Sequence, residues 1–292
     1  MAGHVLLRYF RETSDYDIFY TSRDRHVKGA LRLDALDLRA SDALIEKVRP
    51  DIVMNAIGIL NKRAEDEPGA ARIVNSLLPH RIARKLDELG YGGKLVHIST
   101  DCVFSGELRR DRQDAGRPAT SDDQSSSSPA LRRGRYDENS QPDGRTVYAQ
   151  TKAAGEVRSG HHLTIRTSII GPEIRDGGIG LFEWFMQQRG SVLGYTRVWW
   201  NGVTTLQLAK SIDHMLQHGV TGLYHLTAPE IVSKYTLLRL FAETFRRTDV
   251  SIEPADEPRL DRTLVCTRTD YEAIVPDYRA MMGELSDWMR SS

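Results

Sequence analysis

Several features that define common protein classes are scarce or missing in this 292-residue sequence. It has two cysteines, Cys102 and Cys266, and no C-x-x-C pair, which argues against a disulfide framework or a cysteine-rich zinc site and fits a reducing cytoplasm. No apolar run approaches the length that spans a bilayer. Lysine plus arginine and aspartate plus glutamate each number 40, so the zero net charge offers no electrostatic footprint for nucleic acid or an anionic membrane. We therefore expect a cytoplasmic protein with no metal, nucleic-acid or membrane partner.

The sequence does contain a regular alternation of two patterns. Short runs that are apolar on both faces are typical of strands in a parallel sheet, and here they alternate with helical stretches that would cover it. The expected strands are 17–22, 51–59, 94–100 and 163–170, and the expected helices are 2–12, 41–48 and 74–90. From about residue 171 the sequence becomes rich in aromatic residues. We expect residues 1–170 to form the sheet domain and residues 171–292 a smaller α/β lobe.

The segment 106–134 interrupts this alternation. It is charged, rich in serine and almost free of large apolar side chains. Such a segment cannot bury enough surface to offset the entropy lost on ordering. We expect a disordered surface insertion over about 107–133.

The strongest chemical signal is the stretch VYAQTKAAGE, which contains Tyr148 and Lys152. Residues four apart on a helix share one face. An ammonium one turn away favours tyrosinate and lowers the tyrosine pKa, which makes the pair a general acid–base for carbonyl and alcohol chemistry. On its own the pattern is weak, because both residues are common on helices.

Two further signals lie at the ends of expected strands. HISTDCVFSG places the hydroxyls of Ser99 and Thr100, followed by Asp101, at a carboxyl end, where open α/β sheets bind ligands. A strand end capped by a simple turn explains that stretch equally well. In DIVMNAIGI the small residues Ala56 and Gly58 would let a flat cofactor approach the backbone, although a packed strand looks the same.

Taken in order, strand–NAIG, helix–VNSLLP, STDCVFSG, YAQTK and RTSIIGP resemble the extended short-chain dehydrogenase/reductase family, and within it the dTDP-4-dehydrorhamnose reductase-like nucleotide-sugar reductases. The resemblance covers nearly the whole chain and implies a Rossmann-like doubly wound parallel sheet with a C-terminal substrate lobe. By this resemblance Thr100 would hold the keto oxygen and Tyr148 would protonate it. Lys152 would lower the Tyr148 pKa and bind the nicotinamide ribose, while NADPH or NADH reduces C4 of a 4-keto-6-deoxy sugar nucleotide.

The resemblance also implies two larger sets of binding residues. The cofactor would contact Gly3, Ser22, Arg23, Asp37, Leu38, Ala56, Ile57, Gly58, Asn75, Ser99, Tyr148 and Lys152. The substrate would contact Asp101, Cys102, Val103, Phe104, Trp199, Trp200, Asn201 and Arg262, with Lys234 and Tyr235 as weaker candidates. Ser22 and Arg23 favour NADP, since an arginine suits the 2′-phosphate, but NAD stays open because Asp24 follows.

Some of these residues could have a structural role instead of binding a ligand. Asn75, a poor helix former, invites a structural hydrogen bond to a neighbouring strand. Trp199 and Trp200 could stack on a base or sugar, or belong to the core or a dimer contact. Cys102 stands where the family usually has tyrosine.

The opening residues MAGHVLLRYF raise a separate expectation. Many family members have a strand and a glycine-rich turn that ends G-M-x-G-H, so Gly3 would be the last glycine of that turn. We expect the first strand and the first two glycines to be missing, and cofactor binding to be weakened.

The leading interpretation is therefore a nucleotide-sugar 4-keto reductase. Some family members form homodimers, and the sequence leaves a homodimer open for this chain. The alternative is a non-catalytic NADP-binding protein resembling the regulatory subunit of methionine adenosyltransferase. An epimerase or dehydratase fits less well, because Thr100 is followed by Asp101 and Cys102 rather than by the usual Asp-Glu pair.

Overall fold

The computed structural model describes residues 1–107, 135–174, 178 and 180–291. Apart from Glu107, the expected insertion at 107–133 lies outside the described residues. The helices are α1 Ala2–Thr13, α2 Leu38–Val48, α3 Asn61–Asp66, α4 Pro68–Ala71, α5 Leu78–Leu89, α6 Val147–Ala154, α7 Leu181–Gln187, α8 Thr205–Gln217, α9 Lys234–Thr244 and α10 Tyr278–Arg290. A π-helical turn, Arg72–Leu77, joins α4 to α5.

The strands follow the same alternation. They are β1 Thr21–Ser22, β2 Leu31–Arg32, β3 Ile52–Asn55, β4 Lys94–Ile98, β5 Leu163–Arg166, β6 Ile169–Ile170, β7 Gly190–Tyr195, β8 Val198–Trp200, β9 Val203–Thr204, β10 Gly222–His225, β11 Val232–Ser233, β12 Val250–Ala255 and β13 Leu260–Asp261. Each of the four expected strands is present, but shorter than its apolar run.

The central sheet has four parallel strands in the order β10–β5–β4–β3. All four residues of β5 are buried, as expected for a strand covered on both faces. β1 and β2 pair in parallel as a separate two-stranded sheet. The mixed α/β architecture with a parallel sheet confirms the expected fold class.

Side chains at the strand ends explain why the strands are short. The run 51–59 ends as a strand at Asn55, whose Oδ1 accepts a hydrogen bond from the Ile57 amide at 3.2 Å and turns the chain away from the sheet. The run 163–170 is likewise divided into β5 and β6 by Thr167 and Ser168. The expected long helix over 74–90 ends at Gly90, which has φ 63°, as a helix C-terminus favours.

The two halves of the chain share one core. α1 buries Val5, Leu6 and Phe10, and Val5 packs with Leu206 of α8 and Leu285 of α10. β10, from the second half, completes the central sheet beside β5. None of the helices in the described ranges combines the length and apolar character needed to cross a membrane.

Candidate active site

Thr100 lies directly beyond the carboxyl end of β4 and caps a short 3₁₀ turn, Asp101–Val103. Its Oγ1 accepts a hydrogen bond from the Cys102 amide at 3.1 Å and lies 3.1 Å from Asp101 Oδ1, to which it donates. The hydroxyl is thereby fixed at the edge of the sheet where open α/β folds bind ligands.

Tyr148 and Lys152 reach the same edge from α6, which Thr146 caps by accepting a hydrogen bond from the Ala149 amide. Lys152 is only 4% exposed. Its Nζ donates to the Ile98 carbonyl oxygen at 2.7 Å and lies 3.3 Å from His97 Nε2. The lysine is therefore anchored two residues before Thr100.

Burial dominates the electrostatics of these groups. It raises the pKa of Tyr148 above its usual value, with Cys102 and Asp101 adding to the shift and the Thr100 hydroxyl opposing it. Burial lowers the pKa of Lys152 to about 8. Tyr148 therefore carries its proton at neutral pH in this structure, as an acid must. The lowering of its pKa by Lys152 stays a prediction.

The predicted substrate residues include a charged group beside Thr100. Arg262 donates from Nε to the Ser105 carbonyl at 3.3 Å, and its Nη1 lies 3.6 Å from Cys102 Sγ. Burial raises the pKa of Asp101, while Arg262 and Lys234 oppose the shift. Burial also raises the pKa of the Cys102 thiol to about 12, so this thiol is protonated and a poor nucleophile at neutral pH.

Four other predicted substrate residues have buried side chains. Val103 and Phe104 are fully buried, and Phe104 stacks on Tyr136 with ring centres 4.0 Å apart. Trp200 is buried against Tyr278, and Asn201 hydrogen-bonds both main-chain groups of Leu264. These four side chains are therefore packed inside the protein, and contact of any of them with a substrate stays a prediction. The partly exposed candidates are Asp101, Cys102, Trp199 and Arg262.

Small residues lie together at the carboxyl end of β3. A Cβ atom on Gly3 would lie 4.0 Å from the Ala56 Cβ, so the start of α1 approaches the end of this strand. Gly58 and the 39%-exposed Ile57 follow in the same loop. No side chain caps the start of α1. The loop thus leaves room for a flat group beside the positive end of a helix.

The candidates on β1 and α2 have local roles. Ser22 Oγ accepts a hydrogen bond from the Asp24 amide, and Arg23 is exposed. Asp37 caps α2 by accepting from two amides of its first turn, and Leu38 packs against the cluster around Ile45 and Ile82. Contact of any of them with a cofactor stays a prediction.

The side chains of Asn75 and Ser99 both form hydrogen bonds with other protein groups. Asn75 is fully buried and bonds both main-chain groups of Ile59 and the Thr151 hydroxyl, which is the kind of structural role that its place in a helix suggested. Ser99 Oγ donates to Glu156 Oε1 at 2.9 Å. Each residue therefore ties a cofactor-side loop to α6 or the segment that follows it.

Residues 3–264 match the profile of the RmlD substrate binding domain. The chain belongs to this family. Among curated proteins, dTDP-4-dehydrorhamnose reductase of Shigella flexneri is 36% identical over 63 residues, 21% of this chain and 20% of that protein. dTDP-4-keto-6-deoxy-D-glucose reductase of Streptomyces niveus is 25% identical over 252 residues, 84% of this chain and 75% of that protein. The chain spans 20% to 35% of the length of the dTDP-4-dehydrorhamnose reductases that it matches.

Solved structures agree on the fold. A crystal structure of dTDP-4-dehydrorhamnose reductase from Bacillus anthracis in complex with NADP superposes with a TM-score of 0.72, covering 100% of this chain and 96% of that one. Sequence identity is 17%, so this likeness supports the architecture alone.

Sequence reasoning missed two buried polar groups in this RmlD-family chain. Glu156 forms an ion pair with Arg166 in which the two side chains are 1% and 0% exposed. The His97 imidazole lies beside Lys152, and Asn55 lies beside His97. The sequence offers one signal for such groups, a charged or polar residue inside or beside an apolar strand. This signal does not show which residue that side chain will bond.

Proposed function

We propose that this RmlD-family chain is an NAD(P)H-dependent reductase of the 4-keto group of a nucleotide-linked 4-keto-6-deoxy sugar. The observation that carries the proposal is the convergence of Thr100, Tyr148 and Lys152 at the carboxyl end of β4. The named activities of the Shigella and Streptomyces relatives support this substrate class.

Each residue has a distinct role in the proposed reaction. The Thr100 hydroxyl, which donates to Asp101 in this structure, would turn to donate to the keto oxygen, while its oxygen keeps the bond from the Cys102 amide. Tyr148 donates the proton that turns this oxygen into a hydroxyl, and its raised pKa keeps that proton available at neutral pH. The charged groups Asp101 and Arg262 flank the path to this point and would bind sugar or phosphate groups.

The cofactor side fits a dinucleotide in part. Gly3, Ala56 and Gly58 keep the end of β3 free of bulky side chains next to the start of α1. Lys152 would bind the nicotinamide ribose, as the family resemblance implies, and Arg23 supplies the positive charge expected near a 2′-phosphate. The NADP in the Bacillus structure supports NADP as the first choice, with NAD as the second. When bound, the nicotinamide would supply the hydride.

The direct test is loss of NADPH absorbance in the presence of a dTDP-4-keto-6-deoxy sugar. Turnover should fall ~10²-fold or more in Tyr148→Phe, because general acid catalysis contributes at least that much. NADPH binding, followed by nicotinamide fluorescence, should persist in the same variant. The matched control is Tyr195→Phe, which changes a partly exposed tyrosine on β7.

Binding of NADPH without turnover of any keto sugar would instead favour the non-catalytic regulatory interpretation. Turnover that is insensitive to Tyr148→Phe would remove the assigned acid. The proposal includes a homodimer, supported only by the family resemblance, and the mass in solution tests it.

A further inference from the structure

A buried chain of side chains extends inward from Lys152, away from Thr100. His97, fully buried on β4, lies with its Nε2 3.3 Å from Lys152 Nζ. Its other ring nitrogen, Nδ1, lies 3.2 Å from Asn55 Nδ2 at the end of β3. Asn55 itself is 2% exposed. The reaction proposed above uses neither His97 nor Asn55.

The main chain fixes the orientation of the Asn55 amide. The Ile57 amide donates a hydrogen bond to Asn55 Oδ1 at 3.2 Å. A main-chain N–H can only donate, so the side-chain atom facing Ile57 is the oxygen and the atom facing His97 is the NH₂ group. That NH₂ group can only donate as well. His97 Nδ1 must therefore accept, and the proton of the neutral imidazole lies on Nε2.

The position of this proton bears on the charge of Lys152. An N–H on His97 Nε2 points at Lys152 Nζ, and an ammonium has no lone pair to receive it. A neutral amine has one, and it can still donate to the Ile98 carbonyl oxygen at 2.7 Å. The charged form of Lys152 would require His97 to move its proton to Nδ1, where it would oppose the Asn55 NH₂ group.

We propose that Asn55 and His97 form a positioning dyad that favours the uncharged form of Lys152 and so sets the pH at which this lysine gains its charge. The dyad acts through hydrogen-bond direction, because neither member carries a charge. If the proposed reductase function holds, the dyad also sets the pH range in which Lys152 assists Tyr148.

Other groups around Lys152 act in known directions. Burial lowers its pKa to about 8, and Glu156, just beyond the end of α6, opposes that shift. Burial also holds the pKa of His97 well below its usual value, with Lys152 and then His80 of α5 adding to the effect. The imidazole is therefore neutral, which the tautomer argument requires. Tyr148 is protonated and uncharged at neutral pH.

The test is nuclear magnetic resonance on the full chain with isotope-labelled histidine and lysine and no added nucleotide. Above the Lys152 midpoint, where the lysine is uncharged, the His97 signals, identified by their loss in His97→Gln, should show the proton on Nε2. The Lys152 signals should titrate with a midpoint near 8. A proton on His97 Nδ1 at a pH above that midpoint would overturn the proposal without any variant having to fold.

Two variants should move the Lys152 midpoint upward, by about one pH unit or more. In Asn55→Asp the carboxylate accepts from His97 Nδ1, which leaves Nε2 as an acceptor for the ammonium, and it retains the bond from Ile57. In His97→Gln nothing fixes the new amide, so its oxygen can turn to Lys152. The control is His162→Asn, since His162 is 1% exposed and accepts from the Leu95 amide, at the other end of β4.

The midpoint should not move in His162→Asn. An unchanged midpoint in every folded variant of the dyad would overturn the proposal. These signals need neither substrate nor turnover. A protein with the expected tautomer and titration but no reductase activity would contradict the proposed function and leave the dyad intact.

Discussion

Two buried polar clusters flank β4, and they differ in how their charge is matched. On one side Glu156 accepts hydrogen bonds from Arg166 at 2.6 and 2.7 Å, from Ser99 and from Arg158. On the other side Lys152 bonds a carbonyl oxygen and a neutral imidazole, with no carboxylate in contact among the described residues. Both clusters adjoin the Ser99–Thr100 turn.

The difference separates a structural cluster from a chemical one. A buried carboxylate held by two guanidinium groups stays charged over a wide pH range, because the opposite charges and their hydrogen bonds stabilise its ionised form. A buried lysine without a carboxylate changes charge near neutral pH, as general acid–base chemistry requires. The Glu156 cluster fixes the position of the Ser99–Thr100 turn. The Lys152 cluster places beside this turn a group whose charge changes with pH.

The largest expected effect tests the chemical cluster. Lys152→Met should lower turnover ~10²-fold or more, since it removes a charge next to the reacting groups. The free energy of unfolding should change by less than about 2 kcal/mol, because the main loss is one hydrogen bond to the Ile98 carbonyl. Steady-state kinetics and urea unfolding measure the two effects.

The control for that variant is Lys210→Met, which removes an exposed lysine paired with Glu284 on the surface. It should change neither quantity much. A destabilisation of Lys152→Met as large as that expected for the Glu156 cluster would erase the distinction between the two clusters.

The next effect tests the structural cluster. Glu156→Gln should lower the free energy of unfolding by about 3–5 kcal/mol, because Arg166 is left fully buried without a matching charge. Urea unfolding measures it against Glu284→Gln, which breaks an exposed pair and should cost less than about 1 kcal/mol. If both variants lose the same free energy of unfolding, the buried pair of Glu156 and Arg166 contributes no more to stability than an exposed pair.

The free energy of unfolding should depend on the Glu156 cluster at acid pH and on the Lys152 cluster at alkaline pH. Arg166 and its neighbours hold the pKa of Glu156 below its usual value despite burial, so its contribution to stability is present near neutral pH and lost as pH falls through the folded pKa. The pKa of Lys152 falls from 10.5 to about 8 on folding. Between these two values the unfolded chain binds more protons, so stability should rise with pH.

Urea unfolding of the native chain at a series of pH values measures both trends. The loss of stability as pH falls should be smaller in Glu156→Gln. The rise in stability at alkaline pH should be smaller in Lys152→Met. If the loss of stability at acid pH and the gain at alkaline pH both persist unchanged in the two variants, other titratable groups cause them.

The sequence predicted much of this arrangement, because its signals are local. Alternating apolar runs identified β3, β4 and β5 of the four-stranded parallel sheet. The spacing of Tyr148 and Lys152 placed both on one helix, and the family resemblance grouped them with Thr100. Strand lengths were overestimated because the bond from Ile57 to Asn55 ends β3 early. A periodicity of apolar residues does not report such a turn.

The two clusters could not be predicted for a different reason. Glu156 meets Arg166 ten residues away, and Asn55 meets His97 forty-two residues away, only after the strands have paired. Aromatic residues showed the same limit: the sequence left Trp200 open between stacking on a ligand and packing in the core, and the structure buries it against Tyr278. Hydrogen-bond partners depend on register, which one sequence specifies only through the whole fold.

The smallest expected effect concerns a third cation, the partly buried Lys234, which sharpens the comparison. Lys234, at the start of α9, has its Nζ 5.0 Å from the centre of the Trp200 ring, and burial lowers its pKa to about 8 while Asp101 and Cys102 oppose that shift. It faces a carboxylate, as Arg166 does, but no hydrogen bond joins its amine to the described residues. We expect Lys234→Met to raise KM for the sugar nucleotide ~10-fold with a smaller change in kcat, because it removes charge from the substrate side and not from the reacting groups. Steady-state kinetics against Lys210→Met provides the check, and a fall in kcat equal to that of Lys152→Met would place Lys234 with the chemical cluster instead.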